Sequence, residues 1–218
     1  ALTTAQLNGL SIAKFQAIDA TDIAALSSNA VQSLGTTQIA NLTSGQAAAL
    51  TAAQLKVLST TQVSSLSDDA ISALKATNFG TLTSLQLNAI STSRINLLTA
   101  EQVQSLSSSA LQGLSTSRIT QIDANVFGTL KSAQIKALTT AQVDGLSTSQ
   151  INALSSAQLR SLETRDLAVL DANQIGAVAI NQLTGLSTHQ FSGLTTEQLS
   201  GLTTAQVAQL TVDQLKVL

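Results

Sequence analysis

The side chains that could carry out chemistry are few and scattered. His189 is the only imidazole in the 218 residues, and the chain has no cysteine. A zinc site needs three or four His, Cys or carboxylate ligands, and a proton relay needs a titratable neighbour beside the imidazole. We therefore expect His189 to be a solvated side chain, and we predict neither a metal site nor a cofactor site.

Close pairs of carboxylates are the other candidates for catalysis, and there are three of them: Asp19 with Asp22, Asp68 with Asp69, and Glu163 with Asp166. Asp19 and Glu163 stand where an acid would begin a helix and stabilise its dipole. Capping explains these acids better than acid–base catalysis does, and no Gly-rich phosphate loop or calcium nonapeptide accompanies them. We predict no catalytic residue, and we expect that the protein is not an enzyme.

Composition argues against several kinds of partner. Charged residues make up 10% of the chain, against about 25% in an average soluble domain, and the formal net charge is -2. Such a weak field gives little attraction for nucleic acid or an anionic bilayer. The longest apolar run, residues 175–180, is far below the roughly 20 residues that span a bilayer. We expect no membrane insertion and no targeting signal.

The chain is an array of eight-residue repeats. Residues 3–218 divide into 27 blocks, here called octads, without an insertion or deletion, and position one of the first octad is Thr3. Position five is apolar throughout, and position eight is Leu, Ile or Val. These positions are expected to face a packed interior. All four phenylalanines fall at position five and are therefore predicted to be core residues: Phe15, Phe79, Phe127 and Phe191.

The polar positions of the octad predict helix starts. Position one is mostly Ser, Thr or Asp, and position four is Gln in about 17 octads. A hydroxyl three residues before a glutamine is the signature of a capping box, in which each side chain accepts a hydrogen bond from the other residue's backbone N–H. In the first octad the pair is Thr3 and Gln6. Each octad is thus predicted to begin its own helix.

The period also predicts the architecture. In one continuous helix, eight residues overshoot two turns by about 80°, so the apolar positions would wind around the cylinder. In a strand, positions five and eight would point to opposite faces. We therefore predict an all-α solenoid of about 27 short capped helices, one per octad, running through residues 1–218 as a single array. The alternative is a β-solenoid with two octads per coil.

Small residues at position seven have two interpretations. They could allow neighbouring helices or successive coils to approach closely, or they could mark a helix end that tolerates small side chains. The residues concerned are Gly9, Ala17, Ala25, Ser33, Gly185, Gly193 and Gly201.

One stretch carries a resemblance to known proteins. Leu138–Leu162 reads LTTAQVDGLSTSQINALSSAQLRSL and resembles the octapeptide arrays of giant secreted or surface-exposed bacterial proteins of the adhesin and haemagglutinin type. A looser similarity is to the short-helix superhelices of the mesothelin and stereocilin group, which share Leu-x-x-x-Gln-x-x-x-Leu strings but have Pro-rich junctions. The first resemblance implies an extracellular or cell-surface bacterial location.

These observations favour a structural function. A neutral, hydroxyl- and amide-rich exterior over a hydrophobic core suits a stalk, spacer or filament. Its partners would be neighbouring repeats or copies of itself stacked end to end, because both ends of the array look like ordinary octads. The alternative is an α-solenoid that binds a protein or peptide. Against it, the solvent positions two, three and six show no cluster, and Arg94 and Arg118 at position four look like ordinary surface substitutions.

Overall fold

Short helices follow one another along the whole described chain. A computed structural model describes residues 4–218, which contain 27 α-helices of four to six residues and no strand. The all-α prediction is therefore confirmed, and the β-solenoid alternative is wrong for these residues.

The chain divides into two compact units, residues 1–114 and 115–218, and each is an α-solenoid. The helices of the first unit are α1 (Thr4–Asn8), α2 (Ile12–Gln16), α3 (Ala20–Ala25), α4 (Ser28–Gln32), α5 (Thr36–Ala40), α6 (Ser44–Ala49), α7 (Ala52–Val57), α8 (Thr60–Ser65), α9 (Asp68–Ala73), α10 (Ala76–Phe79), α11 (Ser84–Leu87), α12 (Thr92–Ile95), α13 (Ala100–Ser105) and α14 (Ser108–Gln112). Those of the second unit are α15 (Thr116–Ile119), α16 (Ala124–Gly128), α17 (Ser132–Lys136), α18 (Thr140–Asp144), α19 (Thr148–Ala153), α20 (Ser156–Ser161), α21 (Thr164–Leu167), α22 (Ala172–Gly176), α23 (Ile180–Leu183), α24 (Thr188–Ser192), α25 (Thr196–Ser200), α26 (Thr204–Ala208) and α27 (Val212–Leu215). That the array is one continuous solenoid over residues 1–218 stays a prediction.

Each helix lies within one octad and ends before position eight. In the nineteenth octad, Ser147 is extended (φ -70°, ψ 155°), Thr148–Ala153 are helical, and Leu154 returns to an extended conformation (φ -67°, ψ 143°). The extended pair at positions eight and one turns the chain before the next helix begins. The predicted break between these two positions is confirmed. None of these helices has the length and apolar character needed to cross a membrane, over the residues that the structure describes.

Positions five and eight form the core. All four phenylalanines are at most 1% exposed, and every position-eight residue from Leu34 to Leu194 is buried. The predicted core positions are therefore confirmed away from the two ends. Near the ends burial is incomplete, since Leu10, Ile18 and Leu26 are only partly covered and Val207 is 45% exposed.

Within each unit, a helix packs on the helix three octads further along. Examples are α3 with α6 in the first unit, and α17 with α20 in the second. Side-chain hydrogen bonds between coils join residues 25 to 31 positions apart, as from Asn8 to Ser33 and from Gln46 to Phe15. One coil therefore takes between three and four octads.

Glycine at position seven permits this stacking. A methyl group on Gly145 would lie 2.5 Å from Thr116 Cγ2, and one on Gly193 would collide with Thr164 Cγ2. The two residues of each pair are 29 positions apart and belong to successive coils. The close-approach interpretation is confirmed at these sites. Gly9, in the first coil, faces only the backbone of its own helix.

Candidate functional site

Glutamine at position four is the repeated polar feature of the fold, and it is buried. Gln150 is 1% exposed; its Oε1 accepts from the Ser147 N–H at 3.1 Å, and the Gln150 N–H donates to Ser147 Oγ at 3.1 Å. The predicted capping box is thus confirmed here and at α6, α7, α8, α11, α13, α18, α20, α22, α24, α25, α26 and α27. Thr3, and with it the box predicted for Thr3 and Gln6, lies outside the described residues.

The other end of the same carboxamide bonds to the preceding coil. Gln150 Nε2 donates to the carbonyl oxygens of Ile119 at 2.9 Å and Ile122 at 3.0 Å, which are positions five and eight of the octad four earlier. We call these cross-coil bonds the glutamine ladder. Further members are Gln46, Gln54, Gln62, Gln86, Gln102, Gln158, Gln174, Gln182, Gln190, Gln198, Gln206 and Gln214.

Glutamine suits this position because its amide is an acceptor and a donor on one short side chain. The oxygen satisfies an N–H at the start of its own helix, and the nitrogen satisfies carbonyls at the end of another, groups that helices leave without partners. The acceptor half persists without a capping hydroxyl: Gln134 Oε1 accepts from the Lys131 N–H at 2.8 Å. Among the described residues, no buried side-chain nitrogen or oxygen lacks a hydrogen-bond partner.

Other donors can replace glutamine in the ladder. Arg94 Nη1 donates to the carbonyl oxygens of Leu66 at 2.8 Å and Ser64 at 3.2 Å, while Arg94 Nε lies 2.7 Å from Asp68 Oδ1. Asn78 Nδ2 donates to the Leu50 carbonyl at 2.8 Å. The expectation that Arg94 is an ordinary surface substitution is therefore wrong, because it bonds the preceding coil as glutamine does.

Arg118, predicted to be a second surface substitution, is partly buried. Its Nη1 donates to Ser115 Oγ at 3.1 Å, at the start of the same octad. This arginine too therefore makes a hydrogen bond within the repeat and is not fully exposed to solvent.

Asp166 departs from the ladder in a different way. It occupies position four and is 2% exposed, but an ionised carboxylate has no hydrogen to donate to a carbonyl. Asp166 Oδ1 instead accepts from Thr140 Oγ1 at 2.6 Å and lies 3.7 Å from Arg165 Nε. Asp166 thus accepts a hydrogen bond from the preceding coil, whereas a glutamine at this position would donate one to that coil.

The three carboxylate pairs have separate environments. Glu163 pairs with Arg165 at 3.0 Å, and Asp68 pairs with Arg94. Asp19 and Glu163 do occupy N-cap positions, as predicted, but neither side chain makes a capping hydrogen bond. The predicted N-cap positions of these two acids are therefore confirmed, but capping hydrogen bonds from their side chains are not observed.

A groove between coils collects several charged residues of the second unit. It has a volume of about 520 Å³ and is lined by Arg160, Leu162, Glu163, Thr164, Arg165, Ser187, His189 and Gln190. We call it the charged groove. His189 is exposed there, as expected of a solvated side chain, but its charged neighbours were not predicted from the sequence.

A groove formed by the same octad positions occurs in the first unit, and its lining residues are uncharged. A groove of about 310 Å³ there is lined by Gly80, Thr81, Leu82, Thr83, Ser84, Ser107, Ser109 and Ala110. Gly80, Thr83 and Ser109 occupy the octad positions that Arg160, Glu163 and His189 occupy in the charged groove. Comparing solvent positions three octads apart would have revealed the cluster, but that spacing was unknown from the sequence.

The remaining electrostatic features are modest. The pKa of the exposed Glu101 carboxyl is lowered because its own backbone N–H and the Thr99 hydroxyl donate to it. In residues 4–218, no three His, Asp or Glu side chains lie together where they could hold a metal ion. That the protein is not an enzyme stays a prediction, as does the absence of a cofactor.

Comparison with known proteins finds a match for three segments of the chain. A family model described as the ALTTAQ repeat matches residues 15–52, 127–156 and 181–216. The second of these segments contains the string ALTTAQ itself at residues 137–142. A search of curated proteins found no match. The family matches in both units agree with the octad pattern and the helices, so the chain is an array of structural repeats.

Proposed function

We propose that this array of structural repeats is a stalk, spacer or filament segment of a bacterial extracellular or cell-surface protein. The observation that carries the proposal is the glutamine ladder. Within each unit, it ties successive coils together at octad after octad, as at Gln54 and Gln150. The surface positions around it are mainly hydroxyls and amides, with a net charge of only -2.

The ladder suits a load-bearing role. Separating one coil from the next breaks the cross-coil bonds of three or four octads together, because they join the same two surfaces. It also exposes side chains at positions five and eight, such as Leu159 and Leu162, which are at most 3% exposed. Repeat proteins gain stability mainly from such interfaces between neighbours, so their resistance accumulates along the array.

The proposed location rests on the resemblance of Leu138–Leu162 to arrays in large surface proteins. Antibody against this segment should label intact, unpermeabilised cells of the source organism. Labelling that appears only after the cells are lysed would contradict the location and leave the load-bearing role to be judged separately.

Pulling on the chain tests the mechanical role directly. Held by its two ends in a single-molecule force experiment, the chain should resist extension and unfold in steps of one or a few coils. Gln150→Ala, Gln158→Ala and Gln174→Ala together should lower the unfolding force, whereas Gln121→Ala, at an exposed position, should not. Extension without measurable resistance would overturn the proposal.

The charged groove favours a second candidate function, a scaffold that binds an acidic peptide. Arg160 and His189 are exposed in it, while Arg165 is already paired with Glu163. Calorimetric titration with an Asp- and Glu-rich decapeptide should detect binding that Arg160→Ala abolishes. Ser109→Ala, in the uncharged groove, is the control. Equal binding by both variants, or none by the parent chain, would remove this candidate.

A further inference from the structure

The uncharged groove of the first unit lies at an octad without a ladder amide. Position four of residues 107–114 is Ala110, which lines this groove together with Leu82 and Ser107. A methyl side chain can neither accept a hydrogen bond from a backbone N–H nor donate one to a carbonyl. Elsewhere in the unit a carboxamide does both, as at Gln102. The groove therefore adjoins a place where the polar pattern of the repeat is incomplete.

Two backbone groups at the uncharged groove lack the partner that glutamine provides in other octads. Beside the charged groove, Gln190 accepts from the Ser187 N–H at 3.1 Å and donates to the Leu162 carbonyl at 2.9 Å. The equivalent groups here are the Ser107 N–H and the Leu82 carbonyl. Neither has a hydrogen-bond partner in the part of the chain that the structure describes. One N–H and one carbonyl are thus available to a ligand in the groove.

This pair of backbone groups favours a primary amide as the ligand. The ligand must accept from one group and donate to the other, and a carboxamide does both, whereas a carboxylate only accepts and an ammonium group only donates. Gln190 shows that the oxygen and nitrogen of a single amide can reach both equivalent groups. The residues that line the uncharged groove carry no charge that could pair with an ionic ligand.

An exposed apolar residue adjoins the groove. Leu85 is 73% exposed and directly follows Ser84, which lines the groove. Arg165 occupies the equivalent octad position in the second unit and lines the charged groove. An apolar group of a ligand that covered Leu85 would remove apolar surface from water and add to the binding free energy. The ligand that suits this surface therefore has an apolar group beside its amide.

We propose that the uncharged groove binds a peptide that presents a glutamine side chain followed by an apolar residue. The amide oxygen of that glutamine accepts from the Ser107 N–H, its nitrogen donates to the Leu82 carbonyl, and the apolar side chain covers Leu85. A glutamine of the ligand thus takes the place that a ladder glutamine takes in other octads. This site lies in the first unit, apart from the charged groove, and it does not depend on the stalk or filament role.

Calorimetric titration with a capped hexapeptide, in which glycine and serine surround a central Gln-Leu pair, tests the proposal. Ala110→Gln supplies a ladder amide, so this side chain should occupy both backbone groups and weaken peptide binding at least about tenfold. Ala53→Gln, the same change at an exposed residue of the first unit, should bind as the parent does. Leu85→Ala should weaken binding at least about threefold, because less apolar surface is covered.

Urea unfolding separates loss of the site from damage to the fold. Ala110→Gln should raise the midpoint of unfolding, because the added amide pairs with two backbone groups, and Leu85→Ala should leave the midpoint unchanged. Glutamate in place of the glutamine in the peptide should abolish binding by the parent chain, because its carboxylate has no hydrogen to donate. A lowered midpoint for Ala110→Gln, equal binding by the parent and either variant, or no binding by the parent would overturn the proposal.

Discussion

Two octads of the second unit occupy equivalent places but use different chemistry. Residues 147–154 and residues 163–170 each begin with an extended residue, form a short helix and bury positions five and eight to within 3% exposure. At position four, Gln150 donates to the preceding coil, whereas Asp166 accepts from Thr140. The apolar frame therefore tolerates a change in the direction of a buried hydrogen bond.

The same comparison shows where distinctive chemistry enters a monotonous array. The octad of Asp166 also contributes Glu163 and Arg165 to the charged groove. The octad of Gln150 departs less from the repeat. Gln150 forms a capping box with Ser147 and donates to carbonyls of the preceding coil, as other glutamines of the ladder do. Departures from the octad, more than the octad itself, mark the places where a ligand could be recognised.

Changing the register would disturb both octads most. Deleting residues 139–142 should place Gln150 and Gln158 opposite the wrong carbonyls, with a loss of about 4 kcal/mol for the four hydrogen bonds that they make across the cut. Deleting residues 139–146, one whole octad, should lower the free energy of unfolding much less, because a neighbouring octad of the same pattern then occupies the place of the deleted one. Chemical denaturation measures both, and equal destabilisation would show that eight residues are not the unit.

Core substitutions should affect the two octads alike. Leu154→Ala and Leu170→Ala each leave a cavity at a site that is 3% exposed, at an expected cost of about 2 to 5 kcal/mol. Leu85→Ala, at a 73% exposed leucine, should change the free energy of unfolding by less than about 0.5 kcal/mol. A neutral result at Leu154 would remove position eight from the core.

Removing the ladder amide should distinguish the two octads. From the sequence alone, replacing a position-four glutamine by alanine is expected to cost about 1 kcal/mol or less. The structure raises this expectation for Gln150→Ala to about 2 to 3 kcal/mol, because the Ser147 N–H and two buried carbonyls lose their partner. Thermal unfolding of Gln150→Ala beside Gln121→Ala would decide between the two values.

Restoring the ladder should have the smallest effect and the opposite sign. Asp166→Gln supplies a donor to the preceding coil but loses the hydrogen bond from Thr140, so we expect a net stabilisation of about 1 kcal/mol. Asp166→Asn, whose shorter amide reaches less far, should stabilise the protein less. If Asp166→Gln were destabilising, the hydrogen bond from Thr140 would outweigh the ladder at this octad.

Much of the fold follows from local physical chemistry that the sequence displays. The eight-residue period, the apolar residues at positions five and eight, and the pairing of a hydroxyl with Gln three residues later predict short capped helices and a buried Phe79 or Leu154. These depend on neighbours within one octad, such as Ser147 and Gln150. The capping box is therefore visible in eight residues.

Only the tertiary structure decided how the coils meet. A repeat that is the same in every octad fits any number of octads per coil, so the sequence could not reveal that Gln150 reaches Ile119 and Ile122, or that Arg94 substitutes for glutamine. For the same reason it could not place His189 beside Arg160 and Glu163. Contacts 25 to 31 residues apart depend on the pitch of the coil, and that pitch is set by packing between whole coils, as where Gly145 meets Thr116.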